Sequence, residues 1–439
     1  MEEGKKRGSW SGQLGFIISA AASAVGLGNL WRFPAYAAKY GGGIFLLAYV
    51  LLFLGFGVFM LITEIAIGRA TRLSPIEAFR TLNKRWVFVG WLGTVIPFLI
   101  LPYYCVIGGW CTRYFADYLL KGTAPEFMQV AGNAPESTFM MAVFAVLTIV
   151  FVWFGVQRGV ERANKVMLPG LLILTLAVAG FVLAQPSSRE GLKYYLIPDV
   201  SRLCVNGNFS PELAGRMILA VLGQMFFSLS IAMGIMITYG SYVPEETHMP
   251  KSAFHIGLCD TLVAIVAGVI VIPPVFAFGG EELAKSAGPG LMFTALPQVF
   301  GAMPGSRLVA SAFFLLVLFA SLTSSISLCE TCVASLCDRT KTARKTGTAI
   351  VAVYTLLAAV PSAVWLGFLD KADYITNNIL MPVCALSTCV FVGWITGPDF
   401  VRYEATKHGK HRMFGFKYYE VLIKYIAPAI FAAIFISVI

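Results

Sequence analysis

The sequence predicts an all-α integral membrane protein with about eleven transmembrane helices, on three observations. Only 13% of its 439 residues are charged and 58% are hydrophobic, against about 25% charged in soluble domains. Mean hydropathy reaches +0.76. Apolar stretches of roughly 18 to 25 residues recur along the whole chain, each long enough as a helix to cross a hydrocarbon core of about 30 Å with its backbone paired internally.

In order, the spans read as 13–38, 43–69, 88–120, 137–155, 163–184, 214–240, 254–279, 305–337, 345–366, 374–397 and 419–438. Lys5-Lys6-Arg7 leads into the first of them without a cleavage pattern, so that span is expected to stay in the mature protein. Lysine and arginine gather on the loops that share a side with the N-terminus: Arg69 to Arg85, Arg158 to Lys165, Arg339 to Lys345 and Arg402 to Lys417. Those loops belong in the cytoplasm of a plasma (cell inner) membrane, which with an odd span count puts the C-terminus outside. The formal charge of +10 is thereby accounted for and gives no reason to expect a nucleic-acid partner.

Of the nine cysteines only Cys204 lies in an extended outer loop, and Cys329-x-x-Cys332 sits on a span, where packing explains it better than a metal. Asn208-Phe209-Ser210 is a formal glycosylation sequon. With both tails short, no appended soluble domain is expected. Longer outer loops fall near 185–213 and 280–304, with Glu281 to Phe300 of the second expected to form a lid-like hairpin.

The spans divide into two sets of five, 13–184 and 214–397, with 419–438 left over. Each set opens on an interrupted helix: Ala24-Val25-Gly26-Leu27-Gly28-Asn29 in the first span and Ser228 to Gly234 in the sixth. Paired interruptions in two halves point to the binding site of an inverted-repeat transporter, where half-helix N-termini receive a carboxylate and freed carbonyls hold a cation. The alternative is that Gly26 and Gly28 serve close helix packing.

Charges inside a membrane are costly and need an account. Glu64 lies deep in the second span with no basic residue within a helical turn, suited to accept hydrogen bonds from the broken helices, with a direct role in transport as the alternative. Asp260 lies near the start of the seventh span and Glu330 on the inner half of the eighth; an interfacial, solvated place is the alternative for Asp260. Arg32 and Asp373 are of opposite sign on the outer side, and Arg7, Trp10 and Asp338 lie on the inner side, each set a candidate gate or a surface anchor. Thr323-Ser324-Ser325 offers hydroxyls for a hard cation, or bonds back to its own helix. Tyr104 beside Tyr103 offers a phenol to the bundle interior, or packs.

Trp10, SAVGLGNLWRFP at Ser23 to Pro34, Gly41-Gly42-Gly43, Glu64 with Gly68-Arg69, Gln224 to Ser230 and Leu322 to Ser325 together resemble the neurotransmitter:sodium symporter family over nearly the whole chain. The resemblance implies a LeuT-type fold of five-plus-five inverted repeats with broken helices 1 and 6, and Na⁺-coupled import of an amino acid. It implies one Na⁺ on Ala24, Asn29, Ser228 and Asp260, and a second on Ala22, Val25, Ala320, Thr323 and Ser324. Substrate would meet Ala24, Leu27, Gly28, Ile100, Tyr104, Phe227, Ser228, Ser230, Met233, Ser324 and Leu328. Gates would be Arg32 and Asp373 outside, covered by Tyr104 and Phe227, and Arg7, Trp10, Ser241, Tyr242 and Asp338 inside. Gly159-x9-Pro169 matches a fifth-helix motif associated with unwinding and hydration of the second ion site.

Departures from the family pattern sharpen the expectation. Gly26 stands where monoamine carriers place an aspartate, which favours an amino acid that brings its own carboxylate. Asp260 replaces a common asparagine and Ala264 replaces the serine of chloride-dependent members, so no Cl⁻ is expected. Met233 stands where a leucine-selective relative has a bulkier aromatic, leaving room for hydrophobic side chains up to Tyr or Trp. The partners expected are the amino acid, Na⁺ and the lipid bilayer, with a single copy sufficient. A sensor or ion channel that binds the amino acid without moving it is the alternative. No enzyme is expected, since no nucleophile, base and oxyanion site converge, and His248, His255, His408 and His411 lie near cytoplasmic faces.

Overall fold

The computed structural model describes residues 8–286, 291–301, 305–407, 413 and 415–438. The expected inner-gate role of Arg7, and the positions of His408 and His411, lie outside the described residues. The chain is a bundle of long helices. The first two are α1 (Gln13–Ala24) and α2 (Gly28–Lys39), bent by 49° across their break. Then follow α3 (Gly43–Thr71), α4 (Lys84–Lys121), α5 (Ala134–Trp153) and α6 (Val156–Leu183). A second interrupted pair, α7 (Pro211–Ser228) and α8 (Ile235–Gly240), leads to α9 (Met249–Ala277). The series closes with α10 (Ser306–Thr340), α11 (Arg344–Val364), α12 (Leu366–Thr396) and α13 (Phe416–Ile436).

Among the described residues nine helices are long and apolar enough to cross a membrane, ten when α1 and α2 count as one span. The expected eleven is reached only by counting α7 with α8, which are parted at residues 229–234. The largest boundary difference is α12, which begins at Leu366 rather than 374. Its first turns carry Asp370, Lys371 and Asp373, so hydropathy does not mark them as span, and extended Trp365 marks the end of α11 instead.

Burial sorts the helices into two layers. In α4 and α10, 78% of the most apolar window is buried, and 72% in α9, against 33–39% in α5, α6, α11 and α13. The first three therefore surround the interrupted pairs, and the others turn apolar side chains such as Val166, Ile173 and Leu357 outward. Fully hydrophobic exteriors of this kind belong against lipid.

The outer segments are more ordered than loop composition suggests. Arg189–Leu196 is a helix that buries Tyr194 and Tyr195. After it, β1 (Cys204–Val205) pairs antiparallel with β2 (Asn208–Phe209) through Asn206 and Gly207, both at positive φ, as a two-residue hairpin turn demands. Along the segment expected to form a hairpin, 281–286, Leu291–Ala295 and Leu296–Gly301 are helical, set off from α9 by a kink at Gly280, and 287–290 lie outside the described residues. Phe293 there packs on the rings of Trp110, Tyr114 and Phe127.

Glycines let α3 and α8 meet backbone to backbone. A Cβ on Gly68 would lie 1.9 Å from the Ile237 carbonyl oxygen, and one on Gly240 would lie 2.6 Å from that of Ile65. Small residues at such crossings are the usual means of close helix approach in lipid. Gly68→Ala is accordingly expected to cost about 1–3 kcal/mol through overpacking. A thermal-melting series on purified protein checks this, and an unchanged midpoint would refute the contact.

Candidate functional site

Both interruptions face each other in the middle of the bundle, and buried polar side chains hold their backbones. Ser230, Ala232 and Gly234 in the second break all adopt positive φ, which costs non-glycine residues roughly 1–2 kcal/mol each. Glu64 answers part of that cost: its Oε1 accepts the Ala232 amide at 2.6 Å. Gly234 has no such freedom of replacement, since its φ is +69° and a Cβ would sit 2.4 Å from the Gly93 carbonyl oxygen.

Asp260, from α9, is fully buried and joins three other elements. Its Oδ1 accepts from Asn29 Nδ2 at 2.7 Å and from Ser228 Oγ at 2.8 Å, and its Oδ2 from the Tyr49 hydroxyl at 3.3 Å. Asn29 Nδ2 also reaches the Asp260 carbonyl at 3.1 Å, while Asn29 Oδ1 accepts the Gly26 amide at 2.9 Å. Among the described residues no lysine, arginine or histidine pairs with Asp260. A buried carboxylate with only neutral donors calls for a positive partner, and the oxygens of Asn29 and Ser228 beside it are donors suited to a hard monovalent cation.

A second oxygen cluster joins α1 to α10. The Thr323 hydroxyl lies 3.4 Å from the Val25 carbonyl and 3.0 Å from that of Ala320. Ala22 is buried on the same half-helix, whereas the Ser324 hydroxyl turns to the Ser23 carbonyl at 3.1 Å. Three of the five residues expected in this set are thus linked directly in the structure.

Between the clusters lies a cavity of about 30 Å³. Every residue expected to contact substrate lines it: Ala24, Leu27 and Gly28 from the first break, Ile100 and Tyr104 from α4, Phe227, Ser228, Ser230 and Met233 around the second break, and Ser324 and Leu328 from α10. The Tyr104 hydroxyl is 3.5 Å from the Leu27 amide. A Cβ on Gly26 would fall 2.3 Å from Ser324 Oγ, so any side chain there would fill this space. Sequence reasoning missed Ser23 and Ser327, whose hydroxyls meet at 2.7 Å in the cavity wall. Helical spacing was the signal, since Ser327 follows Ser324 by one turn.

Above Tyr104 and Phe227 opens a vestibule of about 450 Å³ whose walls include Arg32 and Asp373. These two are not in an ion pair here. The Arg32 guanidinium lies 4.9 Å from the Phe227 ring centroid and donates to the Tyr36 hydroxyl at 3.4 Å, while Asp373 accepts from Asn377 at 2.6 Å.

The opposite side is closed by packing. Trp10, 2% exposed, donates its indole N–H to the Tyr239 carbonyl at 3.0 Å and its amide to the Tyr242 carbonyl at 3.0 Å. Ser241 donates to the Thr238 carbonyl, and Asp338 accepts the Ser74 amide at 2.8 Å. Tyr242 donates to buried Glu330 at 2.8 Å, and Glu330 is bound in turn by Arg344. Arg344 was legible only as one more basic loop residue. Gly159 lies in a wide helical turn, Val156–Glu161, and Pro169 inside the continuous helix Arg162–Leu183.

The Glu64 bond yields a direct test. Glu64→Leu leaves the buried Ala232 amide unpaired, for a loss of about 1–3 kcal/mol, whereas Glu64→Gln keeps an acceptor. The leucine variant should therefore melt well below the glutamine variant, and equal midpoints would show that the bond does not hold the break.

A family model described as "Sodium:neurotransmitter symporter family" matches residues 7–124 and 123–439. The chain is 32% identical to the uncharacterized sodium-dependent transporter YhdH of Bacillus subtilis over 98% of this chain and 97% of that protein. It is 25% identical to the sodium- and chloride-dependent taurine transporter of Rattus norvegicus over 90% of this chain and 72% of that one. Among solved structures, MhsT in complex with L-phenylalanine superposes with a TM-score of 0.87 at 33% identity, covering 99% of this chain and all of the other.

Proposed function

From the premise that the chain belongs to the sodium:neurotransmitter symporter family, a family of sodium-coupled transporters, we propose that it imports hydrophobic L-amino acids, aromatic ones included, together with Na⁺. The observation that carries this reading is the Asp260–Asn29–Ser228 cluster, an unpaired buried carboxylate set among oxygen atoms beside the small cavity. The complex of MhsT with L-phenylalanine supports the substrate class.

In this reading one Na⁺ rides on Ala24, Asn29, Ser228 and Asp260, with the substrate carboxylate beside it and near the Leu27 and Gly28 amides and the Tyr104 hydroxyl. The second Na⁺ lies on Ala22, Val25, Ala320, Thr323 and Ser324, tying α1 to α10. Substrate ammonium meets the carbonyls near Ala24, Phe227 and Ser230, and its side chain meets Ile100, Phe227, Met233, Ser324 and Leu328. Transport proceeds by alternating access between repeats 13–184 and 214–397. Arg32, Asp373, Tyr104 and Phe227 close the outer path, and Arg7, Trp10, Ser241, Tyr242 and Asp338 the inner one. The N-terminus is cytoplasmic, the C-terminus outside, and one copy suffices.

The Asp260 charge also makes chloride unnecessary. Two unit charges 4 Å apart attract by about 4 kcal/mol at an effective dielectric of about 20, so the side chain supplies what a bound anion otherwise would. Buried Ala264 adds no hydroxyl that would hold an anion.

Uptake of labelled L-phenylalanine into proteoliposomes tests the whole reading. Accumulation driven by an inward Na⁺ gradient and unaffected by replacing Cl⁻ with gluconate is expected. Saturable binding without accumulation would identify a sensor instead. Asp260→Asn should raise the Na⁺ concentration for half-maximal transport about tenfold or more; an unchanged Na⁺ dependence would remove Asp260 from the ion site.

A further inference from the structure

In the outer segment between α6 and α7, Leu196, Ile197, Val200, Val205 and Phe209 are each 42–58% exposed. Apolar side chains gathered on one short segment mark a surface that meets something other than water. Its place in the fold says what covers it. A Cβ on Gly43, the first residue of α3, would lie 2.3 Å from the Ile197 carbonyl oxygen and 2.7 Å from the Pro198 nitrogen, so the chain at 197–198 rests on that face of α3. Leu47, Leu51 and Leu54 follow Gly43 at helical spacing on the same face and are 42–60% exposed. In a membrane-spanning helix that is the face turned to lipid. Leu47 lies about 6 Å along the helix from Gly43 at 1.5 Å per residue. Ile197 therefore sits at the edge of the hydrocarbon layer, at the end of a lipid-facing stripe.

Charge and backbone pairing suit that place. From 196 to 209 the charged residues are Asp199 and Arg202, which pair at 3.5 Å. Asp199 also accepts from the Ser201 amide at 2.9 Å and hydroxyl at 2.6 Å, and the Arg202 guanidinium lies 4.1 Å from the Tyr194 ring centroid. The segment thus brings no net charge to a region where an unpaired one is costly. Its backbone is paired by the turn Val200–Leu203, by the β1–β2 hairpin and by the Ser210 amide, which donates to the Leu203 carbonyl at 2.8 Å. Backbone that leaves water requires such pairing. Cys204 and Phe209 share one face of the hairpin, and Val205 and Asn208 the other, so each face shows an apolar side chain. A lone two-stranded hairpin is marginal in water and gains from an apolar neighbour.

We propose that residues 196–209 are an interfacial anchor embedded in the bilayer leaflet on the vestibule side. Leu196, Ile197, Val200, Val205 and Phe209 meet acyl chains, while the Asp199–Arg202 pair stays at the headgroups, the division that interfacial segments use. Phe209 stands two residues before Pro211, where α7 begins, so the anchor sets the depth of the outer end of the second interrupted helix. The inference is independent of what the chain carries, because its readout is contact with lipid.

Nitroxide labels on Val200→Cys and Phe209→Cys test it, in the full-length chain in phosphatidylcholine nanodiscs. Cys204, Cys259 and Cys337 are first changed to serine, the remaining cysteines being buried. A label on Gln129→Cys, exposed between α4 and α5, is the aqueous reference. Both test labels should lose collisions with water-soluble nickel ethylenediaminediacetate relative to that reference and gain collisions with lipid-soluble O₂. Nickel collisions equal to the reference overturn the proposal. Shielding from both reagents does so too, since it sets the segment against protein, such as a second copy. The unsubstituted chain gives a reading that needs no variant: phosphatidylcholine with a photoactivated diazirine on its acyl chain should label the tryptic peptide Tyr194–Arg202 as well as Tyr40–Arg69, which carries Leu47, Leu51 and Leu54. Label on the second peptide and none on the first overturns the anchor.

Discussion

Unwound backbone in the middle of a membrane has no water to pair with, and the rest of this structure is arranged around that constraint. Two helices are interrupted where they face each other, and each exposed amide needs a side-chain acceptor. Glu64 supplies one to Ala232 and Asn29 supplies one to Gly26. The breaks in turn require glycine where backbones crowd, as at Gly234 against Gly93. The most deeply buried helices, α4, α9 and α10, are those that enclose these breaks, because a low-dielectric wall makes each such hydrogen bond worth keeping.

The two sides of the small cavity are built from different interactions. On one side Trp10 is wedged against Tyr239 and Tyr242, with backbone carbonyls taking both of its donors. The Tyr242–Glu330–Arg344 chain extends that contact to the start of α11. On the other side Arg32 lies over Phe227, and Asp373 is held by Asn377 within its own helix. A ring contact and a local hydrogen bond give up less on separation than a desolvated aromatic plug and a buried ion pair. The Arg32 side is therefore held by weaker contacts than the Trp10 side, whose contacts join several helices.

Membrane class, the long spans and both breaks were legible because they depend on properties local in sequence: apolar length, glycine spacing and the rarity of charges. Site residues were legible only through motif resemblance, since Ile100, Met233 and Leu328 look like ordinary apolar span residues and meet in one cavity through tertiary packing alone. Arg344 escaped notice for the same reason; its partner Glu330 lies on another helix, and nothing in a basic loop marks the one arginine that folds inward. Hydropathy also failed at the outer turns of α12, where Asp370 and Asp373 line a vestibule rather than meet lipid.

Asp260 does more to its neighbours than add charge. By accepting from Asn29 Nδ2 and Ser228 Oγ, it fixes which way both groups point. A hydroxyl that donates its only proton to a carboxylate keeps its lone pairs for another partner. An amide whose nitrogen is committed to Asp260 must turn its oxygen the other way, and that oxygen keeps one lone pair beyond the Gly26 bond. The carboxylate thus orients two oxygen donors as well as supplying negative potential. An asparagine in its place could still accept both bonds through its oxygen, but its amide nitrogen would replace the Oδ2 that accepts from the Tyr49 hydroxyl, and it would bring no negative charge. The orientation of Asn29 and Ser228, and through Asn29 the conformation of the first break itself, therefore follows from a single buried side chain on α9.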